Sequence, residues 1–243
     1  MKAVLRWFVL LLVALLALQL FFVARIALMA VTAPQSTTFE RSEAWRILGE
    51  NGRLRWRQQW VDYTQISDHL KRAVIASEDD SFAWHEGVDW DAMEKAWQKN
   101  AAAEEQVTKL AANGARTLRP PKIVGGSTIT QQLAKNLLLS GERTLLRKGQ
   151  EFALAYMLEK LLSKQRILEL YLNHVEWGEG VFGAEAAAQH YYRKPAARLS
   201  ASESARLAVM LPRPRHYEKL PQSPYLADRA SVIAGRLWRA ELP

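Results

Sequence analysis

A long apolar run near the N-terminus constrains this chain more than any other feature. Within residues 7–24 the only polar side chain is Gln19, and apolar residues resume after Arg25. Such a run nearly crosses a hydrocarbon core of ~30 Å when it forms a helix. Lys2 and Arg6 precede it, and this positive charge favours a cytoplasmic N-terminus with the rest of the chain outside. The pattern predicts one transmembrane helix.

A cleaved signal peptide is the alternative interpretation of this run. The apolar core of a signal peptide usually holds ~7–15 residues, and the longer run here favours an anchor that stays in place. We therefore predict a cytoplasmic tip with a transmembrane anchor at residues 1–31, a linker at 32–44 and a folded domain at 45–243. The linker is assigned because its residues are mostly polar.

Charge narrows the possible partners of the chain. The formal net charge is +8, which suits nucleic acid, an anionic membrane surface or a phosphate-bearing substrate. The basic residues are dispersed and no nucleic-acid-binding motif is present, so no nucleic-acid partner is expected. The chain has no cysteine, which excludes disulfides and thiol chemistry.

The pattern beyond residue 45 predicts a mainly α-helical domain with a minor β element. Short β-type stretches lie around Trp56 and Trp60, and from Ile66 onward the apolar residues follow helical spacing. The segment 101–113 is rich in alanine with mixed charge, as an exposed helix is, and Gly114 would end that helix.

The first candidate site is an acidic cluster that begins at Glu78. Asp79 and Asp80 follow it, and the cluster ends a run with helical apolar spacing. On these residues alone the simplest interpretation is a solvated helix end. Similarly, His85 by itself is more typical of a structural hydrogen bond than of a metal ligand.

The second candidate site is the segment 125–136, where a Gly-Gly turn precedes a helix with Ser127 as its expected N-cap. Helical spacing places Ile129, Leu133 and Leu137 on an apolar face. The opposite face is polar and holds Thr128, Gln132, Lys135 and Asn136. A glycine turn at a helix N-terminus is suited to bind an anion. Because the segment is not a Walker motif, the anion need not be a nucleotide phosphate.

The third candidate site opens a helix with Arg147, Lys148 and Glu151. Helical spacing puts Glu151 on a face that becomes apolar further along, so its carboxylate should point towards the core or a cleft. A carboxylate there needs a partner, which Arg147 one turn earlier can provide. An ordinary helix ion pair is the alternative.

Together these segments resemble the biosynthetic peptidoglycan glycosyltransferase family, whose module also begins bifunctional penicillin-binding proteins. The family signature Glu-Asp-x-x-Phe-x-x-His-x-Gly is matched by residues 78–87. Gly-Gly-Ser-Thr-Ile-Thr-Gln-Gln-Leu-x-Lys-Asn is matched by 125–136, and Arg-Lys-x-x-Glu-x-x-x-Ala-x-x-Leu-Glu by 147–159. Two further motifs are matched at 166–188 and 199–212.

The chain departs from the family between Gly87 and Gly125, where it is longer than usual. This region faces the membrane in the family. Trp90, Met93 and Trp97 recur there at helical spacing. They could enter the membrane interface, where indole is favoured, or they could pack in the core.

The resemblance implies a lysozyme-like, mainly helical fold with a minor β element, preceded by one transmembrane helix. It also implies an enzyme that polymerises lipid II into β-1,4-linked glycan strands and releases undecaprenyl pyrophosphate by a single inverting displacement. The expected partners are lipid II, the lipid-linked growing glycan and the membrane, with other cell-wall synthesis proteins as candidates. The expected location is the bacterial inner membrane with a periplasmic catalytic domain.

By analogy with the family, Glu78 is the general base for the acceptor hydroxyl, and Glu151 orients cations around the pyrophosphate. A divalent cation, Mg²⁺ or Mn²⁺, is expected on the substrate pyrophosphate, without a protein metal site of its own. The two carboxylates should lie apart, as the ~6.5–9.5 Å separation in inverting glycosidases suggests. The expected substrate contacts are Ser127, Thr128, Gln132, Lys135, Asn136, Arg147 and Lys148.

Two other functions compete with this one. A lysozyme-like hydrolase could use paired carboxylates, but it has little use for a basic site or for an anchor that holds it against lipid. A membrane-bound scaffold would not need both glutamates. A bifunctional penicillin-binding protein is excluded for this chain, because neither Ser-x-x-Lys nor Lys-Thr-Gly occurs in it.

Overall fold

Helices form most of the structure. The computed structural model describes residues 2–112, 125–139, 141–142 and 144–243. Its helices are α1 (Lys2–Leu28), α2 (Thr38–Asn51), α3 (Asp68–Glu78), α4 (Trp90–Ala112), α5 (Ile129–Leu138), α6 (Leu145–Leu161), α7 (Lys164–His174), α8 (Ala184–Tyr192), α9 (Ala201–Met210), α10 (Pro214–Glu218) and α11 (Pro224–Ala234). Its strands are β1 (Arg57–Gln58), β2 (Glu176–Gly178) and β3 (Val181–Phe182). The prediction of a mainly α-helical domain with a minor β element behind one apolar helix is confirmed.

The core forms between helices that are distant in sequence. Helix α5 packs against α6 and α7, while α3 packs against α9, which also contacts α11. The apolar face predicted for α5 is buried, with Ile129, Leu133 and Leu137 almost fully removed from solvent. Trp177 is buried too, and its indole N–H donates to the carbonyl of Leu207 (3.1 Å). This packing places α5 beside α6 and α7, and α3 beside α9.

A small sheet closes one end of the domain. Strand β3 lies between β1, its parallel neighbour, and β2, its antiparallel neighbour. Strand β1 falls in the region predicted as β, whereas β2 and β3 are too short to show an alternating pattern. Gly180 turns the chain between them with φ +71°, and a Cβ there would lie 2.1 Å from the carbonyl oxygen of Arg55. Only glycine fits this turn.

The helix predicted for residues 101–113 is the second half of α4, which begins earlier, at Trp90. Most of the described side chains of α4 are exposed, in agreement with the mixed charge of the segment. Gly114, the predicted end of this helix, lies outside the described residues.

The predicted linker at residues 32–44 is wrong from Thr38 onward, where α2 begins. Thr37 and Glu40 form a capping box: the Glu40 N–H donates to the Thr37 hydroxyl (3.0 Å), and the Thr37 N–H donates to the Glu40 carboxylate (2.7 Å). Glu40 is also buried against His174 of α7 (2.7 Å). Polar composition suggested a solvated linker because the sequence does not show that its carboxylates have buried partners.

The last part of α1 packs into the folded domain. Phe22, Ile26 and the nearby Met29 belong to the same buried cluster as the residues of α3 and α5. Gln19 exchanges amide hydrogen bonds with Gln150 of α6, at 3.2 and 3.3 Å. Helix α1 is therefore part of the domain as well as the helix that is long and apolar enough to cross a membrane.

Arg166 of α7 forms hydrogen bonds to the backbone just after the end of α1. Its guanidinium donates to the backbone oxygens of Met29 and Thr32, both at 2.8 Å. Removal of α1 as a signal peptide would break these contacts and expose the apolar surface beneath them. These contacts make α1 part of the folded domain, and its retention as an anchor stays a prediction.

We predict that Ile26→Ala lowers the stability of the whole domain. Ile26 is fully buried, and replacing a buried isoleucine by alanine costs about 2–5 kcal/mol through lost burial and the cavity left behind. Thermal unfolding of the detergent-solubilised protein, followed by circular dichroism, measures the change. Leu16→Ala on the same helix is the control, since Leu16 is exposed on the apolar surface. Equal melting temperatures for the two variants would show that α1 is only a tether.

Candidate active site

Glu78 is the last residue of α3 and lies beside a cleft of about 890 Å³. The cleft is lined on one side by residues 125–128 and on the other by Trp84 and Trp90. The carboxylate is half-buried, and its Oε2 accepts a hydrogen bond from Nε2 of Gln132 (3.0 Å). Its hydrogen-bond partner is thus an amide on α5.

Burial raises the pKa of Glu78 above the ordinary glutamate value, and the Asp79 carboxylate beside it adds to the rise. The hydrogen bond from Gln132 acts in the opposite direction, because it stabilises the charged form. A carboxylate with a raised pKa is a stronger base than an exposed glutamate. This property suits proton abstraction near neutral pH.

Asp79 connects the end of α3 to α5 and to the following loop through hydrogen bonds. Its carboxylate accepts the backbone N–H of Ile129, at the start of α5 (2.9 Å), and a hydrogen bond from Nε2 of His85 (2.9 Å). The N–H of Gly87 donates to Nδ1 of His85 (3.1 Å), so the proton of the ring is on Nε2. His85 is a structural hydrogen-bonder, and the acidic cluster separates into residues with different functions.

The N-cap of α5 is Thr128, and the prediction of Ser127 was wrong by one residue. The Thr128 hydroxyl accepts the N–H of Gln131 (3.1 Å) and donates to the carbonyl of Gly87 (2.6 Å). The Thr128 N–H donates to the Gln131 side chain (3.0 Å). Since Thr128 is buried with its hydroxyl engaged, it holds the turn in place. Ser127 remains exposed beside the cleft.

Glu151 is buried on α6, as the apolar face predicted. Its two oxygens accept hydrogen bonds from Arg147 (2.9 Å) and Lys148 (2.5 Å). We call Arg147, Lys148 and Glu151 the cation cluster. Two cations and one carboxylate leave a net positive charge, and Nε of Arg147 is buried without a hydrogen-bond partner among the described residues. The cluster is therefore suited to bind an anion.

The second and third candidate sites meet. Helices α5 and α6 pack against each other, and Nζ of Lys148 lies 3.4 Å from the Ser127 hydroxyl. Lys135 is exposed and Asn136 half-buried, both on the face of α5 that the sequence assigned as polar. The glycine turn and the cation cluster thus form one polar surface.

Glu78 and Glu151 have separate hydrogen-bond partners. Glu78 is held by Gln132 of α5, whereas Glu151 is held by Arg147 and Lys148 within its own helix. No hydrogen bond joins the two glutamates in the described part of the chain. The predicted distance between them stays a prediction.

Sequence reasoning did not single out Tyr171, which belongs to this site. Its hydroxyl donates to Oε1 of Gln132 (3.0 Å), on the side of the amide away from Glu78. The residue is buried in α7. A tyrosine between two leucines was the only signal, and such a pattern does not distinguish a polar contact from core packing.

The tryptophans of α4 do not pack in the core. The exposed fractions of Trp90 and Trp97 are 66% and 70%, and Trp90 stacks on Phe152 of α6 with ring centroids 6.2 Å apart. The core-packing interpretation is therefore wrong for the two tryptophans, and their entry into the membrane interface stays a prediction. The stripe lies beside the helix that carries the cation cluster.

The described residues contain no group of three or more His, Cys, Asp or Glu side chains that could hold a metal ion. In the cation cluster both oxygens of Glu151 already accept from cations. A divalent cation does not fit at this carboxylate unless Arg147 or Lys148 moves away.

Comparison with known proteins identifies the family to which this chain belongs. A family model described as Transglycosylase matches residues 46–237. The chain belongs to the transglycosylase family. The resemblance to the biosynthetic peptidoglycan glycosyltransferases is thereby confirmed, and with it the prediction that the chain is an enzyme of that family.

Individual relatives are similar over most of their length. A biosynthetic peptidoglycan transglycosylase of Burkholderia thailandensis is 54% identical over 228 residues, which cover 94% of this chain and 83% of that protein. A protein of the same name from Burkholderia orbicola is 53% identical over 94% of this chain and 86% of its own length. The protein of that name from Burkholderia pseudomallei is also 53% identical, over 94% and 83%.

We predict opposite effects for two glycine substitutions near the site. Gly87 has φ +87°, and a Cβ there would lie 3.2 Å from the carbonyl oxygen of Ala155. Gly87→Ala should therefore destabilise the protein by about 1–3 kcal/mol. Gly149 lies in α6 with open space around it, so Gly149→Ala should stabilise the helix by up to about 1 kcal/mol. Chemical denaturation in detergent measures both, and effects of the same sign would contradict the prediction.

Proposed function

We propose that this protein polymerises lipid II into β-1,4-linked glycan strands and releases undecaprenyl pyrophosphate. The carrying observation is that two different sites lie side by side. A carboxylate with a raised pKa faces a cleft, and the cation cluster around the buried Glu151 lies next to the glycine turn that lines this cleft, with Nζ of Lys148 3.4 Å from the Ser127 hydroxyl. Membership of the transglycosylase family supports the same chemistry. Relatives that are named biosynthetic peptidoglycan transglycosylases support the substrate class.

Glu78 acts as the general base in this proposal. Its carboxylate removes the proton from the 4-hydroxyl of the acceptor sugar as that oxygen attacks the anomeric carbon of the donor. The bond between the anomeric carbon and the pyrophosphate oxygen breaks in the same step, and the electron pair leaves with the pyrophosphate. Because the donor is α-linked and the new bond is β, a single displacement inverts the anomeric carbon.

The cation cluster stabilises the leaving group. A pyrophosphate needs charge stabilisation more than it needs a proton, and fixed cations supply this without reorganisation. Glu151 holds Arg147 and Lys148 in place, and the buried Nε of Arg147 has no hydrogen-bond partner among the described residues. Ser127, Lys135 and Asn136 are the further proposed contacts.

Binding of a divalent cation, Mg²⁺ or Mn²⁺, is part of the proposal as a property of the substrate. The pyrophosphate would supply most of its oxygen ligands, because Glu151 is occupied by cations. Bound there, the ion would neutralise phosphate charge. The protein side chains would orient the sugars and hold the acceptor proton.

We propose that α1 anchors the protein and so holds this site at the membrane surface, where lipid-linked substrates are found. We propose that the N-terminus is cytoplasmic and that the domain lies on the periplasmic face of the inner membrane. Gln19, which pairs with Gln150 of α6, precedes Arg25 by six residues, or about 9 Å of helix. Leu145 and Leu146 at the start of α6 are 93% and 87% exposed. The start of α6 therefore belongs at the depth of the outer leaflet.

We predict that Glu78→Gln abolishes polymerisation with the fold intact. An amide cannot take the acceptor proton, but it still accepts a hydrogen bond from Gln132. Activity on lipid II, followed by gel separation of the glycan products, should fall below about a tenth of wild type, since positioned bases contribute ~10²–10⁴-fold. Glu50→Gln is the matched control, because Glu50 is exposed, pairs with Arg46 on the surface and is not among the residues that line the cleft. Shortened glycan in place of new chains would instead indicate a hydrolase.

We predict that Glu151→Gln slows polymerisation because Arg147 and Lys148 lose the carboxylate that holds them. The Mg²⁺ requirement of the enzyme should stay unchanged. The variant should lose about 10²-fold in kcat, comparable to the loss of one preorganised charge contact. A chelator should inhibit the wild type and Mg²⁺ should restore it. The Mg²⁺ concentration for half-maximal rate should be the same in both proteins. A higher Mg²⁺ requirement in the variant would show that Glu151 binds the ion directly.

A further inference from the structure

Three side chains from three helices form a chain of hydrogen bonds behind the cleft. The hydroxyl of Tyr171 on α7 donates to Oε1 of Gln132 on α5 (3.0 Å). The Nε2 of the same amide donates to Oε2 of Glu78 at the end of α3 (3.0 Å). Tyr171 is only 1% exposed and lies on the side of Gln132 away from the cleft. It is therefore separated from substrate by the amide.

We propose that Tyr171 is a positioning residue for the catalytic base, since it fixes the orientation of the Gln132 amide. This inference rests on the proposed function, in which Glu78 is that base. Tyr171 itself touches no reacting atom.

The direction of each hydrogen bond follows from the chemistry of the groups. An ionised carboxylate only accepts, so Gln132 must present its NH₂ group to Glu78. The other end of the amide then presents its oxygen, which requires a donor, and the Tyr171 hydroxyl provides one. With the amide reversed, its oxygen would face a carboxylate oxygen, and this contact is repulsive.

The surroundings keep Tyr171 a donor. Burial, together with the negative charges of Glu78 and Asp79, raises the pKa of the Tyr171 hydroxyl well above its usual value. The phenol therefore stays protonated throughout the working pH range. Asp79 is itself paired with His85, which lies in the loop after α3. The titratable groups near the base are therefore Asp79 and His85 on this side and Tyr171 on α7.

The consequence for catalysis concerns the protonation and alignment of Glu78. The hydrogen bond from Gln132 lowers the pKa of Glu78 against the effect of burial. If the amide rotates, this stabilisation of the charged form weakens and the pKa of the base rises. A smaller fraction of the enzyme then carries an ionised base at a given acidic pH, and the carboxylate loses a contact that restricts its rotation.

The test is Tyr171→Phe, which removes one oxygen atom and keeps the ring. We expect kcat to fall about tenfold with KM little changed, because the contact aligns the base and does not bind substrate. The acidic limb of the pH–rate profile should move to higher pH by about half a unit to one unit. Tyr191→Phe is the control: its hydroxyl donates to the carbonyl of Trp177 (2.7 Å), away from the site, and it should leave the acidic limb in place.

A double-mutant cycle separates positioning from packing. Gln132→Leu removes the donor to Glu78 and should also move the acidic limb to higher pH. In that background Tyr171→Phe should add no further shift, because the tyrosine acts only through the amide. Melting temperatures of all variants identify any that are unfolded. If Tyr171→Phe does not fold, 3-fluorotyrosine at position 171, a stronger donor of the same shape, should move the limb to lower pH.

Two outcomes would overturn the inference while the proposed function stands. One is an unshifted acidic limb in folded Tyr171→Phe, and the other is an equal shift from Tyr171→Phe with and without Gln132. Failure of the proposed function has a different signature. Folded Glu78→Gln would then retain polymerisation, whatever the tyrosine variants do.

Discussion

The hydrogen bonds to Asp79 hold together the three segments on which the site depends. The carboxylate joins the end of α3 to the first N–H of α5 and, through His85, to the turn at Gly87. The Thr128 hydroxyl donates to the carbonyl of Gly87 and so also holds this turn. A carboxylate at the N-terminus of α5 also interacts favourably with the helix dipole. The position of Glu78 relative to the glycine turn follows from this one buried group.

Near Asp79 the two candidate catalytic glutamates, Glu78 and Glu151, lie in opposite electrostatic environments. Glu78 has an amide and a neighbouring carboxylate beside it, and burial raises its pKa. Glu151 is enclosed by two cations. Proteins use such differences in environment to give the same type of side chain different chemical roles. Here one carboxylate suits proton transfer and the other suits the organisation of positive charge.

Helix α6 links the anchor to the site. Gln150 and Glu151 are adjacent in sequence but point in different directions, because successive helical residues are about 100° apart. One pairs with Gln19 of α1, and the other holds Arg147 and Lys148. The position of the cation cluster relative to α1 is therefore set by direct packing, in addition to the length of the connecting chain.

The sequence alone determined the anchor, the helical character, the apolar face of α5, the burial of Glu151 and the family. Each of these depends on local periodicity or on a contiguous motif. Tertiary structure decided which residue caps α5, that α2 begins inside the supposed linker, that Trp90 is exposed, and that Tyr171 supports Gln132. These features depend on contacts between residues far apart in the chain, such as Glu40 with His174. A linear pattern shows which side chains are polar, but only the packed helices decide which of them meet.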